Sequence, residues 1–317
     1  MRVIMMGTGP FAVPTFLKLY DSRHEVLALV TRPPREIHGK RQADVNPMCE
    51  VAAERGTRTH EPESINEPAA RCLLASYRPD LFVVCDYGQI LSPETLEIAR
   101  FGGINLHASL LPKYRGAAPI NWAIYHGETE TGVTVIHMTP RIDAGPAIAQ
   151  AAMPIGPEDT AAELEPRLAA MGAPLVLRCI DQVETGTAQA IEQDPAQATR
   201  ASRLKKEQGL VDWSRSAAAI KNQVRALNPW PKTYTFWHRP AGEPLRLILE
   251  KVRVGPSAGG APPSPGTVLS AHGDQLHIAT GDGVLAIDAI QPAGKRVLST
   301  GEFLRGYGVR PGEIFGA

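Results

Sequence analysis

Short apolar segments alternate with helical patterns from the start of the chain to about residue 185. These segments are residues 3–6, 26–30, 81–85, 104–106 and 133–138. Regular alternation of strands and helices is typical of a mostly parallel sheet with helices on both faces. The first part of the chain is therefore predicted to be a Rossmann-like α/β domain.

The pattern changes in the last third of the chain, where one helix at residues 214–227 is followed by strand-like segments. They are residues 234–238, 245–254, 266–270, 275–279 and 284–290. Short strands separated by turns suit a smaller β-barrel of the OB-fold type. Because 317 residues exceed the usual size of one domain, we predict an N-terminal domain of residues 1–200 and a C-terminal barrel domain of residues 201–317.

Composition excludes several classes of protein. Lysine plus arginine equals aspartate plus glutamate at 33 each, so net charge indicates no partner. The four cysteines lie far apart without a C-x-x-C pair, which argues against a disulfide framework or a zinc site. No apolar stretch reaches the roughly 18 residues of a membrane helix, and the first apolar run is too short for a signal peptide. A soluble cytoplasmic protein is expected.

Charge is nevertheless uneven along the chain. Residues 200–253 contain twelve lysines or arginines against four aspartates or glutamates. A basic segment beside a barrel can lie along a phosphate backbone and release counterions there. A solvated basic surface without a partner explains the same composition.

The turn at residues 7–12, Gly-Thr-Gly-Pro-Phe-Ala, matches the G-x-G-x-x-A pattern of dinucleotide-binding folds. Pro10 removes one backbone N–H that such a site offers to phosphate, and no acidic ribose ligand follows the second strand. A tight turn without a nucleotide is favoured, while Arg32 leaves an NADP-dependent oxidoreductase as an alternative.

Asn105 and His107 stand at the end of an apolar strand, and their i, i+2 spacing places both side chains on one face. Attack of an amine on a carbonyl carbon produces a tetrahedral oxyanion and releases a proton. An amide donor and an imidazole are suited to both tasks. The N-x-H pattern is common, however, and a single histidine near a strand end also serves structural roles.

Two loops follow this pair. Residues 109–120 combine two leucines, prolines and a cationic centre, which suits a ligand wall. Residues 139–146 form a turn-rich loop that can bring Asp143 against His107, where a carboxylate would orient the ring. An Asx-type turn before Gly145 is the structural alternative for Asp143.

Together, the Asn-x-His pair, the Ser-Leu-Leu-Pro loop and the Asp-x-Gly loop resemble the folate-dependent formyltransferase family. The resemblance covers nearly the whole chain, including residues 83–91 and, in the second half, 209–214, 225–231 and 294–298. It points to the branch of the family that acts on initiator methionyl-tRNA in translation initiation and holds tRNA with an OB-fold. Asp86 departs from the family pattern, which usually has a small neutral residue there.

The resemblance implies that 10-formyltetrahydrofolate is the formyl donor, that initiator methionyl-tRNA is the acceptor, and that no metal takes part; a monomer is expected. It implies that Asn105, His107 and Asp143 act on the formyl group. Folate is expected to lie against Ser109, Leu110, Leu111, Pro112, Tyr87, Gly88, Gln89 and Leu91. The expected tRNA contacts are Arg32, Arg35, Lys40, Arg41, Lys205 and Lys206.

Four alternatives remain open at this point. A sugar-nucleotide N-formyltransferase would use the same three residues on a different amine, but a basic barrel suits a polyanion better. A formyltetrahydrofolate hydrolase would share the core and have no evident use for that barrel. A non-catalytic tRNA-binding module would have a broken site, whereas all three residues are present. An NADP oxidoreductase would bind a nicotinamide cofactor.

Overall fold

The computed structural model describes residues 1–34, 46–239, 242–256 and 263–316, and the chain forms two compact units. The first unit comprises Met1–Pro119, Glu130–Pro154 and Glu163–Ser202; the second comprises Ile120–Thr129, Ile155–Ala162 and Arg203–Ala317. All four tryptophans, Trp122, Trp213, Trp230 and Trp237, belong to the second unit. No helix in the described part of the chain has the length and apolar character that crossing a membrane requires.

The strands that begin in the first unit are β1 (Arg2–Gly7), β2 (Glu25–Val30), β3 (Thr59–His60), β4 (Leu81–Cys85), β5 (Gly103–His107), β6 (Arg115–Gly116), β7 (Glu130–His137), β8 (Ala147–Pro154) and β9 (Arg200–Ala201). The first six helices along the chain are α1 (Val13–Tyr20), α2 (Pro47–Glu54), α3 (Pro68–Ser76), α4 (Pro93–Leu96), α5 (Pro119–Tyr125) and α6 (Ala161–Thr185). A 3-10 turn, Pro10–Ala12, precedes α1.

Seven of these strands form one sheet in the order β3-β2-β1-β4-β5-β7-β8. The first five are parallel, and β4 is buried along its whole length because both faces of a parallel sheet are covered. The predicted mostly parallel α/β fold is thus confirmed. β7 and β8 differ, since each runs antiparallel to its neighbour, so the loop after β7 turns back along β5.

Helices α4 and α6 each begin directly after a hydroxyl residue. Ser92 caps α4 by accepting a hydrogen bond from the backbone N–H of Thr95 at 3.3 Å. Helix α6 begins at Ala161, directly after Thr160, and continues for 25 residues despite two internal prolines.

The second unit contains the strands β10 (Thr233–His238), β11 (Leu245–Val254), β12 (Val268–His272), β13 (Gln275–Ala279), β14 (Val284–Pro292), β15 (Leu298–Ser299) and β16 (Ile314–Gly316), with α7 (Ala217–Ala226) and α8 (Thr300–Tyr307). The antiparallel order is β12-β13-β14-β11-β10-β16, and a bridge between Thr267 and Ile314 nearly closes it into a barrel. The barrel surrounds a core that includes Trp213, Trp237 and Phe303. The small barrel is confirmed, although its last two short strands were not predicted.

Candidate active site

Asn105 and His107 project from the same face of β5, where the loop after β7 covers them. Asn105 Nδ2 lies 3.5 Å from Asp143 Oδ1, and His107 Nδ1 lies 3.6 Å from Asp143 Oδ2. The imidazole is nearly fully buried and the carboxylate is 14% exposed. The three residues expected at the reacting centre therefore meet at one carboxylate.

The second ring nitrogen of His107 restricts where the proton resides. Nε2 lies 2.9 Å from the backbone oxygen of Tyr114. A carbonyl only accepts hydrogen bonds, so Nε2 carries the hydrogen. Nδ1 is consequently the nitrogen that can gain or lose a proton, and it faces Asp143.

The backbone around Asp143 adopts an unusual conformation. Asp143 has a φ of +49°, in the left-handed region that L-residues seldom occupy. Its Oδ2 accepts a hydrogen bond from the backbone N–H of Gly116 at 2.8 Å. Gly116 joins the loop after β5 to β9, and a Cβ at this glycine would lie 2.4 Å from the oxygen of Ala201. The carboxylate is thus fixed by a loop that tolerates only glycine at that point.

The Ser109 to Pro112 loop is held by groups on β7 and β8. Ser109 Oγ donates to the oxygen of Lys113 at 2.7 Å, and the N–H of Leu111 donates to Thr134 Oγ1 at 3.1 Å. Gln150 Nε2 donates to the oxygen of Leu111 at 2.6 Å. Leu111 is buried, whereas Leu110 and Pro112 are partly exposed. Sequence analysis missed Thr134 and Gln150 because a polar residue on a strand carries no distinctive signal.

Two side chains of the segment after β4, those of Tyr87 and Leu91, point into the core. Tyr87 and Leu91 are 2% and 1% exposed, and both belong to the core of the first unit. The Gln89 amide accepts from the N–H of Ile65 at 2.8 Å and donates to the oxygen of Pro62 at 3.1 Å. Gly88, with a φ of +78°, lies against the guanidinium of Arg32.

A carboxylate stands at the glycine turn, where a dinucleotide fold would bind phosphate. A Cβ at Gly9 would lie 1.8 Å from Asp86 Oδ2. Burial raises the pKa of Asp86, and the nearby charge of Arg32 opposes that rise. A negative side chain at this position repels a pyrophosphate, which disfavours the dinucleotide interpretation of the G-x-G-x-x-A pattern.

The expected tRNA contacts fall into three groups. Arg35, Lys40 and Arg41 lie outside the described residues. Arg32 is described and lies beside Gly88 and Asp86. Lys205 and Lys206 are exposed and form no ion pair with a described residue, unlike Lys221, Lys232 and Arg253, which pair with Glu158, Glu250 and Asp288.

Among the described residues, one group offers three potential metal ligands, namely His24, Asp181 and Glu184. The ammonium group of Met1 already contacts His24 Nδ1 at 3.0 Å and Glu184 Oε1 at 3.1 Å. None of these residues contacts Asp143. All four cysteines are free thiols.

Two family models match the chain: formyl transferase over residues 1–180 and the formyl transferase C-terminal domain over residues 203–308. The methionyl-tRNA formyltransferase of Geotalea uraniireducens is 40% identical over 317 residues, which cover 100% of this chain and 98% of that protein. The methionyl-tRNA formyltransferase of Rhodopirellula baltica is 41% identical over 326 residues, with coverages of 99% and 96%. This chain belongs to the formyltransferase family.

Solved structures of other proteins share the fold. WlaRD, a sugar 3N-formyl transferase crystallised with dTDP and 5-N-formyl-THF, has a TM-score of 0.67 at 18% identity and covers 93% of this chain and 99% of its own. HypX from Aquifex aeolicus in complex with tetrahydrofolic acid has a TM-score of 0.60 at 20% identity, with coverages of 96% and 48%. These two structures support the fold, while the two family models and the methionyl-tRNA formyltransferases above confirm the resemblance stated from the sequence.

Glu165 on α6 provides a test of the charges near the glycine turn. Burial raises the pKa of Glu165, and the neighbouring Asp86 raises it further. A raised pKa means that the ionised form of Glu165 is less favourable in the folded protein than in the unfolded chain. Its ionisation therefore lowers the free energy of unfolding, and this loss of stability grows as the pH rises above the ordinary carboxyl pKa of about 4. Glu165→Gln should therefore raise the Tm on the order of 1–2 °C at pH 7.5, and the gain should vanish near pH 4.

Thermal unfolding followed by far-ultraviolet circular dichroism measures this difference. The matched control is Glu54→Gln, which removes an exposed carboxylate at the end of α2. An equal Tm gain at both pH values would contradict the electrostatic explanation.

Proposed function

We propose that this protein transfers the formyl group of 10-formyltetrahydrofolate to the free amino group of initiator methionyl-tRNA. The main support for this proposal is that Asn105, His107 and Asp143 converge in a chain that aligns end to end with methionyl-tRNA formyltransferases. The product, formylmethionyl-tRNA, serves translation initiation.

The reaction is an acyl transfer between two nitrogens. The amine nitrogen attacks the formyl carbon, and the carbonyl electron pair moves to oxygen, giving a tetrahedral oxyanion. The amine loses one proton as it becomes an amide. The carbon–nitrogen bond to N10 of the folate then breaks, and N10 gains one proton, so charge and atoms balance.

His107 manages this proton through Nδ1, because its Nε2–H is committed to Tyr114. Nδ1 accepts the proton from the attacking amine, and the resulting imidazolium is stabilised by the Asp143 carboxylate 3.6 Å away. The same proton can return to N10. Asn105 donates an N–H to the oxyanion, a contribution that only the charged intermediate gains in full.

The folate ring system would lie along the backbone of residues 87–91 and the loop of residues 109–112. Apolar surface suited to a pterin is available nearby: Ile90 is 58% exposed, and Ile142, which adjoins Asp143, is 57% exposed. Exposed apolar side chains of this size indicate a binding surface when they flank a polar centre. Buried Tyr87 and Leu91 would support that backbone from beneath.

Residues 1–200 would form the catalytic domain, and residues 201–317 would hold the tRNA. Lys205 and Lys206 are the best-supported contacts within the described chain, because their charges are not compensated by an ion pair. Arg32, Arg35, Lys40 and Arg41 remain proposed contacts for the acceptor end. A role in translation would be carried out in the cytoplasm, which is the proposed location. A monomer is the expected state, which light scattering would test.

The choice of acceptor separates this function from that of a sugar-nucleotide N-formyltransferase. With 10-formyltetrahydrofolate supplied, the purified protein is expected to convert charged initiator tRNA to formylmethionyl-tRNA. A dTDP-linked amino sugar at equal concentration should remain unformylated. Mass spectrometry of both acceptors decides the question, and formylation of the sugar alone would overturn the proposal.

Asn105→Ala and His107→Ala should each lower kcat by at least about 100-fold, since both act on a charged intermediate. The matched control is His272→Ala, which removes an exposed histidine from the barrel and should retain normal turnover. Circular dichroism spectra and Tm would establish that each variant is folded. Turnover within a few-fold of the parent protein would refute the catalytic assignment.

Replacing both Lys205 and Lys206 with glutamine should weaken tRNA binding and reduce the slope of log Kd against log salt concentration by about 1 to 2. Each lysine that neutralises a phosphate releases counterions, so its loss flattens the salt dependence. Lys221→Gln is the control, because the Lys221 ammonium is already paired with Glu158. Binding titrations at several salt concentrations measure both slopes, and an unchanged slope in the double variant would exclude these lysines.

A further inference from the structure

The segment of residues 191–201, here called the strap, follows α6 and runs along both loops of the candidate active site. Ile191 and Ala147 exchange two backbone hydrogen bonds of 2.8 Å. Further along, the N–H of Tyr114 donates to Thr199 Oγ1 at 2.8 Å, and that of Arg115 donates to the Thr199 oxygen at 2.9 Å. The strap thus joins the loop that ends at β8 to the loop that ends at β6.

Between these two ends, the side chain of Gln193 uses its full hydrogen-bonding capacity. Its Nε2 donates to the backbone oxygens of Asp143 at 2.9 Å and Gly145 at 2.7 Å. Its Oε1 accepts from Arg115 Nε at 3.0 Å and from Arg115 Nη2 at 2.7 Å. Guanidinium only donates and carbonyls only accept, so the orientation of the amide is determined by its partners.

The Asp143 loop needs such support. The positive φ of Asp143 is unfavourable for a residue with a side chain. Two residues later the chain passes so close to β7 that a Cβ at Gly145 would lie 1.8 Å from the oxygen of His137. Gln193 donates hydrogen bonds to the backbone oxygens of Asp143 and Gly145. It does so without touching the Asp143 carboxylate.

We propose that Gln193 is a positioning residue for the reaction, a role that rests on the proposed function. Its amide holds the backbone of Asp143 in the left-handed conformation that directs the carboxylate at His107 and Asn105. Arg115 orients that amide by donating two hydrogen bonds to its oxygen. Gln193 itself contacts no reacting atom.

Gln193→Glu isolates this role, because it preserves size and the contact with Arg115 while replacing both donors with an oxygen that repels the two carbonyls. It should lower kcat by about 10- to 100-fold, the scale of a small misplacement of a reacting group, with KM for folate and tRNA within about twofold of the parent protein. Gln193→Met, which removes the hydrogen bonds without adding charge, should change kcat in the same direction. Gln182→Glu, an exposed position on α6, is the control for added charge.

A double-mutant cycle with Asp143→Asn identifies the path of the effect. If Gln193 acts through Asp143, then adding Gln193→Glu to Asp143→Asn should cause almost no further loss of kcat. Losses that multiply, or a lower Tm with kcat unchanged in both Gln193 variants, would overturn the proposal. The parent protein measured in parallel separates the two ideas, because inactivity of the parent towards methionyl-tRNA contradicts the function and not the positioning role.

Discussion

The carboxylate of Asp143 is the interaction on which the site depends. It approaches two side chains of β5 and accepts the N–H of Gly116, so three separate stretches of chain converge on one pair of oxygens. The antiparallel direction of β7 makes this possible, because the loop after β7 returns along β5 instead of leaving the sheet. A wholly parallel sheet would carry the chain away through a crossover.

Much of the fold follows from the sequence. Continuous apolar segments predicted the parallel strands, and alternation with turns predicted the barrel. The i, i+2 spacing of Asn105 and His107 predicted a shared face, since it depends only on local backbone geometry. The contact between Asp143 and His107 joins residues that lie 36 positions apart. From the sequence, this contact was one of two interpretations of Asp143, and an Asx-type turn was the other. The assignment of Asn105, His107 and Asp143 to one reacting centre came from the family resemblance and not from periodicity.

Other features carried no usable signal. The strap contains polar residues and a two-residue strand, β9, without any hydrophobic period, so only tertiary contacts reveal that Gln193 supports the site. The electrostatic effect of Arg32 on Asp86 likewise links positions that are distant in the sequence. At the glycine turn, Pro10 already argued against a nucleotide from the sequence, and the carboxylate of Asp86, which lies where phosphate would bind, could be placed there only by the structure.

The distribution of tryptophan has a practical consequence for anyone who studies this molecule in solution. Since Trp122, Trp213, Trp230 and Trp237 all belong to the second unit, intrinsic indole emission originates in that unit. The sheet that carries Asn105 and His107 has no indole of its own. An indole introduced by design into the first unit would give each half of the chain its own optical signal.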